Sequence, residues 1–387
     1  MATIVFAGYL VRYPLGGYAW QMAHYLLGFR ALGHDVWFYE DTGVWDCDTA
    51  YNPVADDSAC SYEYGVDFVG SFLGKLGFGE RWVFVDAYHG AKYGPGANRL
   101  NQLLKDADIL VSFGPVNRLP LELSRKRPSL FIDSDPIYAQ LRLENGDDDF
   151  AALLNAHTAH FTFGENIGKA GALLPTAGYR WRPTRQPVAV ELWENAGPPG
   201  PAYTTVGKWN AEGRDMQYRG ETFQWRKRTE WMHFLDLPSR SGQRFELAMD
   251  VESVPGDLDT LSQHGWQVVD PLRASIDPWG YRSYLRGSRG EFTVAKDMNV
   301  RFRSGWFSDR AACYLAAGRP VVEQDTGFSE VLPLGPGLHA FNSIEAAVDA
   351  VRIIESDYER ASAHASEVAR EYFAADRVLA AMLAAAG

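Results

Sequence analysis

Short apolar runs, each closed by small or polar residues, recur along this chain and restrict its fold more than any other feature. The first spans Thr3 to Tyr9 and leads into the turn Arg12-Tyr13-Pro14-Leu15-Gly16-Gly17. Trp20, Ala23, His24, Leu27 and Ala31 then repeat at helical spacing up to Gly33-His34, and Asp35 to Tyr39 forms the second run. Strand, glycine turn, helix and strand in that order make the βαβ unit of a doubly wound parallel sheet. Ile109–Phe113, Ser129–Asp133 and His160–Phe163 repeat the theme and end at Gly114, at Ser134-Asp135-Pro136 and at Gly164-Glu165-Asn166. Open parallel sheets bind ligands beyond the carboxyl ends of their strands, so these three tips are expected to rim a cleft.

A proline-rich stretch at 181–203 lacks periodicity and reads as a domain linker. Beyond it, runs at Ala202–Val206, Arg244–Met249, Trp266–Val269, Glu291–Ala295 and Arg319–Glu323 form a second set, closed by the last of them. Helical patterns separate them, one at Phe223–Phe234, and Ile344 to the end is almost wholly helical. Between Asp41 and Asn101 the pattern dissolves into a Tyr-, Asp- and Gly-rich stretch, expected as a long functional loop. At 387 residues the chain exceeds one ordinary core. The expected fold is α/β: two Rossmann-like doubly wound domains facing each other across a cleft, 1–185 and 186–365. The C-terminal helix 366–387 is placed to pack back on the first domain.

Composition removes several function classes. Net charge is −12, from 49 acidic against 37 basic residues, which disfavours a nucleic-acid partner bound through phosphates. No apolar run is long enough for a membrane span. The start lacks the basic region of a secretory signal. Cys47, Cys60 and Cys313 read as too few and too scattered for a disulfide framework or a zinc site. A reducing cytoplasm is the expected location. Twelve Trp and nineteen Tyr offer platforms for sugars or bases, and serve equally well as core filler.

The most informative segment is Arg301 to Gly327. Ser304-Gly305 ends a loop where backbone can approach a ligand, and Ser308 is a fair N-cap for a helix ending at Gly318. A helix N-terminus presents unpaired N–H groups suited to phosphate, and Arg303 and Arg310 flank it. Arg319-Pro320-Val321-Val322 then enters a buried strand whose tip is Glu323-Gln324-Asp325, with short polar side chains able to read sugar hydroxyls. Helix capping and a surface ion pair are the plainer reading of the same residues.

Ser304 to Gly327 resembles the donor-binding segment of the GT-B glycosyltransferases, in which a glycine-containing loop opens a helix ending in Ala-x-Gly-x-Pro-Val. The match looks closest to a little-described bacterial branch of single-chain members. Pro14-Leu15-Gly16-Gly17 and the following helix resemble the family's opening unit. The resemblance implies a hexosyltransferase using a nucleotide-diphosphate sugar as substrate, with neither metal nor other cofactor, and a small hydroxyl-bearing acceptor. It places Gly16, Gly17, Lys208, Lys296, Arg303, Ser304, Gly305, Ser308, Arg310, Gln324 and Asp325 around the donor. Two family features are missing: Cys313 or Ala311 stands where a Glu often holds the donor ribose, and Arg303 replaces a His near the diphosphate.

Transfer to a hydroxyl calls for a base from the first domain, with Asp133, Asp135 and Glu165 as candidates and Asp133 preferred. A retaining enzyme would need no dedicated base. Asp133-Ser134-Asp135 also has the spacing of a divalent-metal ligand pair, though a substrate-facing or capping role fits it better. His24, beside Trp20 and Leu27, reads as a packed core histidine. A sugar-nucleotide epimerase and a non-catalytic sugar-nucleotide binder are the alternatives. The long 41–101 stretch weighs against an epimerase, and the opening turn lacks a dinucleotide fingerprint.

Overall fold

The computed structural model describes residues 1–43, 46–120, 127–169 and 172–386. The strands of the first half are β1 (Thr3–Ala7), β2 (Asp35–Asp41), β3 (Ala50–Asn52), β4 (Asp57–Ala59), β5 (Trp82–Asp86), β6 (Ala91–Tyr93), β7 (Ile109–Phe113), β8 (Ser129–Asp133), β9 (Ala159–Thr162) and β10 (Trp181–Pro183). Those of the second are β11 (Ala202–Gly207), β12 (Met216–Tyr218), β13 (Glu221–Phe223), β14 (Arg244–Met249), β15 (Trp266–Val269), β16 (Gly290–Thr293), β17 (Val321–Gln324) and β18 (Leu338–Phe341). Eight strands form one sheet in the order β10-β9-β8-β7-β1-β2-β5-β6, and six form another in the order β15-β14-β11-β16-β17-β18. All pairings within the two sheets are parallel except β5 with β6. Central strands are covered on both faces, which is why Ile4, Val5, Phe6 and Ala7 are all fully buried and show no alternation.

Four expectations change. The 41–101 stretch is not one loop: it holds the β3–β4 hairpin, the helix Glu63–Lys75, and β5, which extends the first sheet beyond β2. Trp82-Val83-Phe84-Val85 is itself an apolar run, masked in sequence by its Tyr- and Gly-rich flanks. The second sheet does not close at Glu323, because β18 pairs beyond β17. The helix expected at Phe223–Phe234 begins only at Arg228. Phe223 instead ends a hairpin and stacks on Phe302 at 4.6 Å, within a cluster that also holds Phe131 and Ile137 of the first half. Burial across the domain boundary there outweighs helical periodicity. Finally, the β3–β4 hairpin brings Cys47 and Cys60 together as a disulfide, thirteen residues apart in sequence.

The two halves meet directly. Trp20 Nε1 donates to Pro278 O at 2.6 Å, and Asn166 N donates to Ser304 O at 3.0 Å. The last helix, Ala375–Ala386, packs on helix Gly16–Ala31, where a Cβ at Gly28 would meet Leu379 Cδ1 at 2.6 Å. The chain thus returns to the first sheet after completing the second.

Candidate functional site

In the second sheet β11 lies between β14 and β16, so the connections leaving the centre run in opposite directions and open a crevice at the carboxyl tips. Arg310, in the first turn of helix Asp309–Ala316, fills its floor. Its Nη1 donates to Val206 O at 2.5 Å, its Nη2 to Thr293 Oγ1 at 3.1 Å and its Nε to Glu291 Oε1 at 2.5 Å. Glu291 is fully buried; burial pushes its carboxyl up, and Arg310 opposes the rise. A rigid planar fork with donors in fixed directions suits this bracing of two strands. Ser308 caps the same helix, accepting from Ala311 N at 3.4 Å.

Two lysines stand above this floor. Lys227 opens the helix Arg228–Trp231, with its Nζ 5.5 Å from the Trp306 ring centroid. Burial, then Arg310, lowers its pKa to about 7, while Glu323 and Glu291 act in the opposite direction. Glu323, near the end of β17, is fully buried; burial holds its carboxyl well up, while Lys227, Arg310 and the Ser308 backbone N–H act in the opposite direction. Lys296 follows β16, with Nζ 3.0 Å from the Trp225 centroid and 2.8 Å from Asp135 Oδ1. Asp135 belongs to the tip of β8, so this ion pair spans the cleft. Its carboxylate side chain remains 44% exposed.

The facing wall comes from the loop after β1 and the start of the first helix. Tyr9, Tyr13 and Tyr18 cluster there, with Tyr18 5.1 Å from Tyr9 and 6.0 Å from Tyr13. Burial, then the Asp135 charge, pushes the Tyr18 hydroxyl up to about 12. Arg214 also acts electrostatically on Tyr9 and Tyr18 and stacks over Trp225 at 5.1 Å. Lys227, Glu291 and Tyr18 escaped sequence reasoning, and Glu323, expected at a polar strand tip, is instead fully buried. Arg226-Lys227-Arg228 was visible as a basic run, but it lay inside a stretch read as helix.

The other expected site residues have definite places. Asp133 is buried and accepts from Thr162 Oγ1 at 2.8 Å, Gln140 Nε2 at 3.0 Å and Asp135 N at 3.1 Å. Burial raises its pKa to about 6, and these bonds brace the strand tip. Asp133 and Asp135 therefore point to different partners. Glu165 takes a two-point ion pair from Arg185, at 2.5 and 3.0 Å. Arg303 has positive φ, 51°, and reaches Glu330 at 2.7 Å and Asp325 at 3.4 Å, half exposed to water. Ser304 Oγ donates to Asn299 Oδ1 at 2.9 Å. Gly305, at φ 78°, lies so close to the first half that a Cβ would sit 2.9 Å from Asn166 N. Gln324 Oε1 accepts from Ala295 N at 3.1 Å and its Nε2 donates to Glu230 Oε2 at 2.6 Å. Asp325 caps Gly327 N at 2.8 Å. Lys208 is mostly exposed and pairs with Asp250 at 3.0 Å. Gly16 and Gly17 adjoin Tyr281, whose Cβ would lie 2.5 Å from a Cβ at Gly16. Close helix packing alone demands glycine at that position.

Behind the crevice, Trp20, His24, Tyr281, Arg310 and Cys313 enclose a cavity of about 10 Å³, room for one water at most. His24 accepts from Ala189 N at 3.1 Å and meets Cys313 Sγ at 3.6 Å. Burial lowers the His24 pKa to about 3, so it is a neutral core histidine. Cys313 thus contacts the first half of the chain.

No family model and no curated protein matches this chain by sequence. Solved structures do match. An alpha-glucosyltransferase (AGT) in complex with UDP aligns with TM-score 0.59 at 9% identity, covering 100% of both chains. HepE from Anabaena, in complex with UDP and glucose, aligns with TM-score 0.54 at 10% identity over 100% of both. AviGT4, a glycosyltransferase involved in avilamycin A biosynthesis, aligns with TM-score 0.55 at 11% identity, over 100% of this chain and 97% of its own. The chain has the GT-B glycosyltransferase fold. In this GT-B architecture the Arg301–Gly327 segment forms one lip of the interdomain junction, through Asn166, and the floor of the second-sheet crevice, through Arg310. Among the described residues, no helix is long and apolar enough to cross a membrane.

Proposed function

We propose that the chain is a glycosyltransferase moving a hexosyl group from a nucleotide-diphosphate sugar to a hydroxyl on a small acceptor, with no metal or other cofactor. The donor is assigned to the unit 186–365 and the acceptor to 1–185, with 366–387 tying the second back to the first. One observation carries this reading: Lys227 and Lys296 lie within electrostatic reach of each other beside Arg310, and Lys296 pairs with Asp135, which in turn acts on Tyr18 of the first half. A departing nucleoside diphosphate gains negative charge, and preorganised cations in a partly buried site stabilise that charge more than water does. UDP complexes of AGT and HepE support the donor class.

An incoming diphosphate competes with Asp135 for Lys296. Its arrival releases Asp135, which then orients the acceptor hydroxyl. Asp133 holds the tip on which Asp135 sits, and Glu165 anchors Arg185. An AGT structure contains a 13-mer DNA. Here the net charge of −12 and the acidic tips Asp135, Asp250 and Asp270 favour a small acceptor over a polyanion. The test incubates the protein with a panel of nucleotide sugars, with and without chelator, and measures nucleoside diphosphate release. Release that persists in chelator and falls in Lys227→Ala and Lys296→Ala is expected; undiminished release in both variants refutes the assignment. The pairing of Glu165 with Arg185 and of Asp133 with three donors favours a second reading, a binder without turnover. Calorimetry showing donor bound but never consumed would establish that reading instead.

A further inference from the structure

The hairpin inserted between β2 and β5, together with the turn that follows β5, carries a cluster that the proposed transfer reaction does not use. Cys47 Sγ, Cys60 Sγ and a ring nitrogen of His89 all lie within 4.8 Å of one another. Three separate segments supply them: the short turn Cys47–Thr49, the residue after β4, and the turn after β5. We propose that, once the Cys47–Cys60 disulfide is reduced, the two thiolates and His89 bind one soft divalent cation of the zinc type.

The decisive feature is the histidine. A disulfide needs no neighbouring imidazole, yet His89 is held in one orientation although half of it is exposed. Its Nδ1 lies 2.7 Å from Asp86 Oδ2, and Asp86 is 1% exposed. The other Asp86 oxygen accepts from Tyr88 N at 3.1 Å and His89 N at 3.0 Å, so the carboxylate itself cannot swing. Asp86 thereby fixes the tautomer with Nδ1–H, and the Nε2 lone pair faces Cys60 Sγ at 4.0 Å. A carboxylate behind a histidine with its far nitrogen free is the arrangement that raises imidazole basicity toward a metal. Tetrahedral zinc with S and N ligands sets neighbouring donors about 3.6 Å apart, close to that spacing. Tyr62 braces the cluster: its hydroxyl donates to Cys47 O at 3.4 Å, and its ring meets the His89 ring edge-on at 6.4 Å. Three protein ligands leave one tetrahedral position for water.

The chemistry balances in two steps. A dithiol reductant gives two electrons and two protons to the S–S bond, becoming a disulfide itself and leaving Cys47 and Cys60 as thiols. The cation then displaces both thiol protons, forming two metal–sulfur bonds and one bond to His89 Nε2. The ion would clamp the β3–β4 hairpin, whose Tyr51 lies within electrostatic reach of Asp250 and Asp270 at the tips of the second sheet.

The experiment uses the full chain, reduced with a dithiol, freed of reductant under anaerobic conditions and titrated with Co²⁺ and then Zn²⁺. Expected are one ion per chain, a thiolate-to-cobalt charge-transfer band displaced by zinc, and release of two protons per ion. Unreduced protein should bind neither ion. Cys60→Ser and His89→Ala should lose the band while keeping the parent circular dichroism. Asp86→Asn should weaken binding by about 10–100-fold without altering the band, as a positioning residue does. A reduced protein that takes up no ion overturns the proposal, as does a Cys47–Cys60 bond that stays closed under dithiol. Binding that survives in Cys60→Ser and His89→Ala also overturns it.

Discussion

Replacing Arg310 with alanine separates two roles that the sequence alone left merged. If Arg310 serves only as a phosphate ligand, its loss abolishes binding and leaves the fold intact. The structure makes it a strut: the side chain is 12% exposed and its partner Glu291 is 0% exposed. Removing one member of a buried ion pair leaves an uncompensated charge and costs about 3–5 kcal/mol. Among the described residues Thr205 Oγ1, at 3.1 Å, remains as a hydrogen-bond donor to Glu291, and Lys227 acts on it only electrostatically. At about 2–4 °C per kcal/mol for a domain of this size, the melting temperature should fall by about 6–20 °C. The loss should also depend on pH. Without Arg310 the buried Glu291 carboxyl rises further above its ordinary range, so the folded state binds its proton more tightly than the unfolded state does. The penalty is then full at pH above the folded value and fades as pH falls toward the ordinary carboxyl range. Scanning calorimetry of Arg310→Ala between pH 5 and 8 tests both points. Glu291→Met with Arg310→Met, which removes both charges at similar volume, should recover most of the loss. A single variant melting within about 2 °C of the parent, under 1 kcal/mol, would refute the strut and return Arg310 to the ligand.

Lys227→Ala should weaken nucleoside diphosphate binding by about 10–100-fold, the worth of one charge-assisted hydrogen bond. Because burial lowers the Lys227 pKa to about 7, parent affinity should decline as pH rises through that value, and Lys227→Arg should flatten the profile; an equally steep decline in Lys227→Arg would contradict this. Asp135→Asn removes one charge of a part-buried pair but keeps an amide oxygen that can accept from Lys296, so stability should fall by about 1 kcal/mol while transfer falls about 100-fold. Parent-level transfer would remove Asp135 from the acceptor side. Gly305→Ala forces a side chain into positive φ against Asn166 and should cost about 1–3 kcal/mol, read as a lower denaturation midpoint.

Much of the architecture was legible from local pattern. Buried parallel strands advertise themselves as unbroken apolar runs, so Ile109–Phe113, Ser129–Asp133 and Arg244–Met249 stand where hydrophobicity alone placed them. Ser308 as N-cap was legible for the same reason, since capping involves only the next three residues. Where a run was short and flanked by turn residues, as at β5 and β18, the local signal failed. At Phe223 it misled, because that ring stacks on Phe302 in a cluster that Phe131 and Ile137 complete from across the domain boundary.

Roles at the site obey a different rule. A charged side chain is defined by the partner it meets, and the partners here are remote in sequence. Lys296 meets Asp135 from 161 residues away, and His24 meets Cys313 from 289. Nothing in the spacing of Asp133, Asp135 and Glu165 says which of them is buried among donors, which is neutralised by an arginine and which faces the cleft. Likewise Cys47 and Cys60 look isolated until a hairpin turns one back on the other. Hydrophobic periodicity is a property of neighbours along the chain and is written in the sequence. Burial, pairing and pKa belong to neighbours in space, and the tertiary structure alone decides them.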